Sequence, residues 1–242
     1  MTRLALHGFT QRGAMWDEVA SRVGGPWLAP DLPGHGGRPA CTWGEAVGSI
    51  ARLLAGVAPP RCLVGYSMGG RLALAVALDH AEVVDRLVLL SASPGIADPG
   101  GRERRLAEDR DLAGRIERLG VAPFLEEWLD RPWFGGGRVP PPEWRAAERA
   151  ARLGSSAAGL AGALRLLGQG AQPYVGDRLG SLGMPVLLLA GADDPRYAAL
   201  AQDMGRAIPG ATVALIAGAG HALVGEQPAG VASLLGDWCP RE

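Results

Sequence analysis

Residues 62–74 read CLVGYSMGGRLAL, and this stretch decides the fold. The apolar run at 62–64 indicates a short buried strand, and the alanine- and leucine-rich pattern at 70–80 indicates a helix. Between them, residues 65–69 form a G-x-S-x-G motif with Ser67 at its centre. A strand–turn–helix context of this kind predicts a sharp turn that raises the Ser67 hydroxyl above the end of a sheet as a nucleophile.

The same alternation of strand and helix patterns runs through most of the chain. Helical patterns, for example at residues 45–56 and 196–208, separate apolar runs of strand length at residues 4–6, 27–29, 62–64, 87–90, 186–190 and 213–216. This order predicts an α/β fold, with a mostly parallel sheet covered by helices on both faces. Ligands of such sheets bind at the carboxyl ends of the strands.

Residues 94–172 depart from this alternation. They are rich in alanine, leucine, arginine and glutamate, and they are interrupted by glycines at 135–137 and prolines at 140–142. The pattern predicts several helices inserted between two strands of the core. We therefore expect one core built from residues 1–93 and 173–242, with a helical cap formed by residues 94–172.

Composition excludes several classes of function. The 242 residues carry a formal net charge of −1, which gives no electrostatic basis for binding nucleic acid or an anionic membrane. All 24 basic residues are arginine, so chemistry that needs a lysine, such as Schiff-base formation, is excluded. No apolar stretch reaches the ~18 residues of a membrane span, and no signal peptide is visible.

The three cysteines, Cys41, Cys62 and Cys239, are far apart and match no metal-binding spacing. From this spacing we expect no disulfide framework, a reducing compartment and a cytoplasmic location. The sequence leaves the oligomeric state open.

A serine nucleophile at such a turn needs a base and an orienting acid that come later in the chain. His221 follows the last apolar run and is the candidate base. The run before it ends at Asp193 and Asp194. We choose Asp194 as the acid because a residue later in the loop can reach across to His221, with Asp193 as the alternative.

Negative charge that develops on a substrate oxygen needs hydrogen-bond donors. The backbone N–H of Met68, next to the nucleophile, and the N–H of Phe9, in the loop after the first strand, are the candidate oxyanion hole. Residues 31–36, DLPGHG, follow the second apolar run, and we expect them to form a structural loop that braces the site.

Several motifs together resemble the α/β-hydrolase superfamily: HGF at 7–9, DLPGHG at 31–36, GYSMGGRLAL at 65–74, GADD at 191–194 and GAGH at 218–221. Within it, the middle of the chain is similar to the 2-succinyl-6-hydroxy-2,4-cyclohexadiene-1-carboxylate synthases (MenH). The segments that carry this second resemblance are SASPGI at 91–96, RERRLAEDRDLA at 102–113, FLEEWLDRPWF at 124–134 and GQGAQP at 168–173.

The resemblance implies site residues as well as a fold. It implies Ser67, Asp194 and His221 as the catalytic triad. It also implies five substrate-binding residues, of which three are arginines: Arg71, Arg105, Arg152, Tyr66 and Trp128. Independently of the family, Arg71 lies four residues after Ser67, one helical turn along, and arginine is suited to bidentate capture of a carboxylate.

The activity implied by the resemblance is a lyase reaction on a small carboxylate substrate, without a metal or an organic cofactor. Pyruvate is eliminated from 2-succinyl-5-enolpyruvyl-6-hydroxy-3-cyclohexene-1-carboxylate in menaquinone biosynthesis. Two alternatives stay open. One is a serine esterase, thioesterase or carbon–carbon bond hydrolase with a covalent Ser67 intermediate. The other is a non-catalytic binding protein on the same fold, a class that characteristically lacks members of the triad.

Overall fold

A parallel sheet forms the centre of the molecule. The structure, a computed structural model, describes residues 1–129 and 139–239. The strands of the described chain are β1 (Thr2–Leu6), β2 (Trp27–Leu28), β3 (Arg61–Tyr66), β4 (Arg86–Leu90), β5 (Val186–Gly191) and β6 (Thr212–Ile216). Their order in the sheet is β2-β1-β3-β4-β5-β6, and every neighbouring pair is parallel. The predicted α/β class and each apolar run predicted as a strand are confirmed.

Helices connect the strands and cover both faces of the sheet. They are α1 (Asp17–Val23), α2 (Trp43–Ala55), α3 (Met68–Asp79), α4 (Pro99–Leu119), α5 (Val121–Leu129), α6 (Pro142–Leu153), α7 (Ala157–Leu167), α8 (Pro195–Ala207), α9 (Leu223–Glu226) and α10 (Pro228–Trp238). Side chains alternate along each strand, so β4 sends Leu87 and Leu89 into the core beneath α2, α3 and α8. Val88 and Leu90 enter the core beneath α1 and α10.

The described part of the segment between β4 and β5 contains helices α4 to α7, joined by short non-helical stretches. Asp98 caps α4 by accepting from the N–H of Gly101, and Ser156 caps α7 by accepting from the N–H of Gly159. Helices α4, α5 and α7 share a separate small core of seven buried apolar residues: Ala113, Ile116, Phe124, Leu125, Leu160, Ala161 and Leu164.

The helix breakers of this segment fall in two places. The prolines at 140–142 begin a helix, since Pro141 is the N-cap of α6 and Pro142 its first residue. The glycines at 135–137 lie outside the described residues.

A disulfide bond corrects the expectation drawn from the cysteine spacing. Cys62, at the start of β3, is bonded to Cys239, which ends α10, although 177 residues separate them. Helix α10 runs back across the sheet and ends beside the amino end of β3, a proximity that spacing along the chain cannot reveal. Cys41 is not disulfide-bonded.

Among the described helices, none has the length and apolar character required to cross a membrane.

Candidate active site

Ser67 occupies a sharp turn between β3 and α3. Its φ of 50° and ψ of −109° lie in a region that residues with side chains rarely adopt. The turn requires glycine on both sides. A Cβ on Gly65 would lie 2.5 Å from the carbonyl oxygen of Gly69, and a Cβ on Gly69 would overlap the carbonyl of Leu6. The two glycines let α3 approach β1 and β3 closely, which leaves Ser67 raised at the carboxyl end of its strand.

Three side chains from three different loops meet at this turn. Nε2 of His221 lies 3.2 Å from Oγ of Ser67, and its Nδ1 lies 3.1 Å from Oδ2 of Asp194. His221 follows β6 and Asp194 follows β5, so both loops leave the same edge of the sheet as Ser67. An imidazole that donates from Nδ1 to a carboxylate keeps Nε2 free to accept the serine proton. The arrangement can therefore make Oγ of Ser67 basic.

The carboxylate that meets His221 is held in its ionised form. Asp194 is the N-cap of α8, and its Oδ1 accepts from the N–H of Tyr197 at 3.1 Å. Burial alone would raise the pKa of Asp194, but the hydrogen bonds from His221 and Tyr197 outweigh it, so the pKa lies below its ordinary value. A carboxylate in this state orients the imidazole and stabilises it when it becomes protonated.

The loop that carries His221 is fixed by a second buried carboxylate. The N–H of Gly220 donates to Oε2 of Glu226, which lies in α9. Burial raises the pKa of Glu226, and the nearby Asp193 and Asp194 add to that effect against the opposing hydrogen bond. The contact ties the residue before His221 to the following helix.

The candidate oxyanion donors are the backbone N–H groups of Met68 and Phe9. Met68 is the first residue of α3, so its N–H has no acceptor within the helix. Phe9 lies in the loop after β1 and, like Met68, lines the cavity above Ser67. The N–H of Gly8 donates to Gln11 at 3.2 Å and the N–H of Thr10 donates to His35 at 3.1 Å, so the loop is held on both sides of Phe9.

Two buried histidines fix this loop to residues 31–36. Nε2 of His7 accepts from the N–H of Leu32 at 2.8 Å, and Nε2 of His35 accepts from the N–H of Thr10. Each ring therefore carries its proton on Nδ1, which donates to the carbonyl of Gly8 or Pro33.

The same two histidines are neutral. Burial, together with the neighbouring His35, lowers the pKa of His7 to about 3, and burial lowers the pKa of His35 to about 4. Residues 31–36 brace the site through these contacts.

A cavity of about 990 Å³ opens above Ser67 and extends to the inserted helices. Among the described residues, its wall contains phenol, indole and carboxylate groups and a set of seven arginines: Arg71, Arg105, Arg110, Arg115, Arg118, Arg152 and Arg196. Four carboxylates of the described chain share the wall: Glu108, Asp109, Asp111 and Asp194. Arginine thus outnumbers carboxylate in the described part of the wall, and such a wall favours anionic ligands.

Arg71 is the arginine that lies nearest to the turn along the chain. It is 5% exposed, its Nη1 donates to Oε1 of Gln172 at 3.3 Å, and its guanidinium lies 5.9 Å from the ring of Trp43. Among residues 1–129 and 139–239, no carboxylate forms a salt bridge with it. Burial lowers the pKa of Arg71 to about 10. A buried cation whose partners are a neutral amide and an indole ring can accept an anionic ligand.

The other two predicted arginines already have carboxylate partners. Nε of Arg105 donates to Oδ1 of Asp109 at 2.9 Å, and Arg152 donates to Oε2 of Glu148 from both Nε and Nη2. Arg152 also donates to the hydroxyl of Thr10. Both arginines line the cavity, so a ligand carboxylate would have to share or displace an internal partner.

The two predicted aromatic residues also line the cavity. The ring of Tyr66 lies 5.6 Å from that of His221, and burial raises the pKa of its hydroxyl. Trp128, in α5, meets Phe9 edge to face at 5.4 Å and stacks on Phe124 at 5.8 Å. The structure thus brings all ten sequence-predicted site residues to one cavity.

Sequence reasoning missed the polar residues that hold the arginines. Gln172 reaches Arg71, and Gln169 accepts from Nη1 of Arg105 at 2.7 Å. Glu148 joins Arg152 to Gln11, whose Nε2 donates to it at 3.2 Å. Gln169 and Gln172 lie in the segment GQGAQP at 168–173, and the resemblance of this segment to the synthases is the one feature of the sequence that points to them.

Comparison with known proteins places this geometry in a family. The model of the alpha/beta hydrolase family matches residues 4–234, nearly the whole chain. This chain belongs to the α/β-hydrolase family. The strand–turn–helix at Ser67 and the loops after β5 and β6 are the parts of the family fold that form its site.

Individual α/β-hydrolases narrow the comparison. A 2-succinyl-6-hydroxy-2,4-cyclohexadiene-1-carboxylate synthase of Serratia proteamaculans is 35% identical over 83% of this chain and 80% of its own length. The structure of MenH from S. aureus matches with a TM-score of 0.93 at 28% identity and covers 98% of this chain and 92% of that one. A thermophilic esterase of Thermogutta terrifontis, with malate bound, matches with a TM-score of 0.83 at 27% identity, over 99% of this chain and 89% of its own.

In the part of this α/β-hydrolase that the structure describes, no group of three or more His, Cys, Asp or Glu side chains is arranged to hold a metal ion.

Proposed function

We propose that this protein is a carbon–oxygen lyase that converts 2-succinyl-5-enolpyruvyl-6-hydroxy-3-cyclohexene-1-carboxylate to 2-succinyl-6-hydroxy-2,4-cyclohexadiene-1-carboxylate and pyruvate, a step of menaquinone biosynthesis. The names of the Serratia and S. aureus relatives support this choice. The single observation that carries it is the buried Arg71, one helical turn from Ser67 and without a carboxylate partner in the described chain. A substrate with three carboxylates needs such a cation, since burying a carboxylate without one is costly.

The reaction begins with transfer of the Ser67 proton to Nε2 of His221, which Asp194 holds in place. Oγ of Ser67 then removes the proton beside the succinyl ketone, and the N–H groups of Phe9 and Met68 stabilise the resulting enolate oxygen. The electron pair moves through the ring double bond and breaks the bond between the ring and the enolpyruvyl oxygen. The leaving enolate takes up the proton of His221 and becomes pyruvate, so Ser67 is never acylated.

The substrate carboxylates are divided among the arginines of the cavity wall. Arg71 takes one of them directly, because it has no internal ion pair to break. Arg105 and Arg152 take part of the charge while Asp109 and Glu148 keep them in position. Tyr66 and Trp128 form the apolar wall against which the ring packs.

Residues 94–172 act as the cap of this site, and residues 1–93 and 173–242 form the core beneath it. Three of the proposed ligand-binding groups, Arg105, Trp128 and Arg152, belong to the cap. The core supplies Ser67, Asp194 and His221. The cap therefore shares ligand binding with Arg71 and Tyr66 of the core, while the core alone carries the chemistry.

A serine esterase or related hydrolase is the second candidate, favoured by the similarity to the Thermogutta esterase. It would use the same three residues, but Ser67 would attack a carbonyl and become acylated. A non-catalytic binding protein is a remote alternative, because that class characteristically lacks members of the triad. Here Ser67 and Asp194 each lie within hydrogen-bonding distance of His221.

The deciding experiment supplies the purified protein with the enolpyruvyl cyclohexene substrate and follows pyruvate by a coupled assay, beside p-nitrophenyl acetate hydrolysis. We expect pyruvate release far above the spontaneous rate, and Ser67→Ala should abolish it. If ester hydrolysis is fast, Ser67 becomes acylated and pyruvate release does not exceed the spontaneous rate, the protein is a hydrolase instead.

A further inference from the structure

Tyr197 lines the cavity but has no part in the reaction as described so far. It lies in the first turn of α8, where its N–H donates to the carboxylate of Asp194, the N-cap of the helix. Its ring centroid is 4.5 Å from that of His221, with the rings inclined at 45°. The side chain is 8% exposed. Tyr197 therefore stands directly beside the group that would move the proton.

The direction of the hydrogen bond at its hydroxyl is fixed by an arginine. Gln169 makes two contacts, with Nη1 of Arg105 at 2.7 Å and with the hydroxyl of Tyr197 at 2.9 Å. A guanidinium can only donate, so the atom of Gln169 that faces Arg105 must be the oxygen. The atom that faces Tyr197 is then the amide nitrogen, and the phenol oxygen must accept from it.

An accepting phenol still has its own proton to donate. Within residues 1–129 and 139–239, no group accepts this proton from Tyr197. Tyr197 lines the cavity, where a ligand is the natural acceptor. The chain of Arg105, Gln169 and Tyr197 also polarises the O–H bond, because each donor in turn draws charge from the next group.

We propose that Tyr197 is a further substrate-binding residue, whose hydroxyl donates a hydrogen bond to an anionic oxygen of the bound carboxylate ligand. The identity of that ligand rests on the proposed function. The arrangement makes Tyr197 a specificity residue, since a neutral ester gives the hydroxyl no anionic acceptor.

The first test replaces the hydroxyl alone. Tyr197→Phe keeps the ring beside His221 and the N–H that donates to Asp194. We expect the Kd of 2-succinylbenzoate, measured by calorimetry as an aromatic counterpart of the product, to rise roughly 10- to 100-fold, the effect of losing a hydrogen bond to a charged group. The kcat/KM for pyruvate release should fall by a similar factor, while Tm stays unchanged.

Tyr174→Phe is the matched control, because it removes the same atom from a tyrosine 36% exposed and outside the cavity lining. It should leave every readout at the wild-type value. Equal losses in the two variants, or a Tyr197→Phe protein within twofold of wild type, would overturn the inference. A fall in Tm would assign Tyr197 a structural role and would also overturn the inference.

The second test reverses the hydrogen bond. In Gln169→Glu the carboxylate pairs with Arg105 and accepts the phenol proton, so Tyr197 can no longer donate to the ligand. We expect a loss close to that of Tyr197→Phe, and little further loss when the two changes are combined. Fully additive losses would contradict a shared function.

The calorimetric readout separates this inference from the proposed reaction. A wild-type protein that releases no pyruvate overturns the lyase assignment. Tyr197 is then judged by the Kd of 2-succinylbenzoate alone, and a Kd that Tyr197→Phe leaves unchanged overturns the inference.

Discussion

Arg71 places a positive charge in a buried position and has a neutral amide, Gln172, where a salt bridge would be expected. Such a charge lowers the stability of the ligand-free protein, and a bound anion offsets this cost. Function and stability should therefore respond in opposite directions at this residue.

Arg71→Met tests this opposition, since methionine fills similar space without charge. We expect kcat/KM for pyruvate release to fall by a factor that corresponds to about 2–4 kcal/mol of transition-state stabilisation. This is the scale for losing a charged partner in a closed site. Tm should stay unchanged or rise, because no desolvated cation remains. Arg206→Ala, at an exposed position, is the control and should change neither quantity. A variant with full activity would remove Arg71 from ligand binding.

The sequence predicts a site residue when the position of that residue in the fold follows from the pattern of its neighbours along the chain. Ser67, Asp194 and His221 each follow an apolar run, and parallel strands bring their carboxyl ends to one edge. Gln172 meets Arg71 from 101 residues away and Glu148 meets Gln11 from 137 residues away. Such pairs depend on how the inserted helices dock, and no local pattern encodes that.

At the scale of elements, the close approach of α3 to β1 determines where Ser67 stands. The N–H of Gly69, in the first turn of α3, donates to the carbonyl of His7 at 3.0 Å. A side chain at this position would collide with the backbone at the end of β1. Sequence predicted the turn, but the strand against which it packs became visible only in the structure.

Gly69→Ala should therefore destabilise the protein strongly. The new methyl group meets backbone atoms that cannot rotate away, and we expect the free energy of unfolding to fall by about 3 kcal/mol or more. Gly44→Ala is the matched control, because Gly44 also lies in the first turn of a helix but has open space around it. It should leave stability unchanged or raise it by up to about 1 kcal/mol. Denaturant unfolding of both variants measures the difference, and equal stabilities would refute the steric argument.

The loop after β1 is predicted to be sensitive to acid through His7 and His35. Both have folded pKa values, about 3 and about 4, below the ordinary value of 6.5. The unfolded chain therefore binds more protons below pH 6.5, and stability is lost as the pH falls from there toward the folded values. Between pH 7 and pH 5 each histidine should lower the free energy of unfolding by about 2 kcal/mol.

His35→Gln measures this contribution. An amide can accept from Thr10 and donate to Pro33, but it does not titrate. Below pH 6.5 its unfolding free energy should depend less steeply on pH than that of wild type, by about 1.4 kcal/mol per pH unit. Parallel slopes for wild type and His35→Gln would show that His35 is not buried as a neutral ring.

At the scale of the whole molecule, the two edges of the sheet have different tasks. The carboxyl ends of the strands carry Ser67, Asp194 and His221. The amino ends carry cross-links to the last helix. Cys62 is bonded to Cys239, and the buried Arg3 donates to the carbonyl of the same Cys239. The motifs of the sequence predict the catalytic residues at the carboxyl ends. They do not predict the cross-link at the amino ends, because a pair of cysteines 177 residues apart has no local signature.

This division predicts that the disulfide stabilises the fold without affecting the site. Cys239→Ser should lower the free energy of unfolding by about 2–4 kcal/mol under oxidising conditions, because the cross-link restricts the unfolded chain. The kcat/KM should stay unchanged, since Cys62 lies five residues before Ser67, about 16 Å along β3. A reductant should lower the Tm of wild type and of Cys41→Ser, in which the bond remains, and should not affect Cys239→Ser. A wild-type Tm that does not respond to reductant would show that the bond does not stabilise the fold. A large loss of activity in Cys239→Ser would show that the two edges of the sheet are coupled.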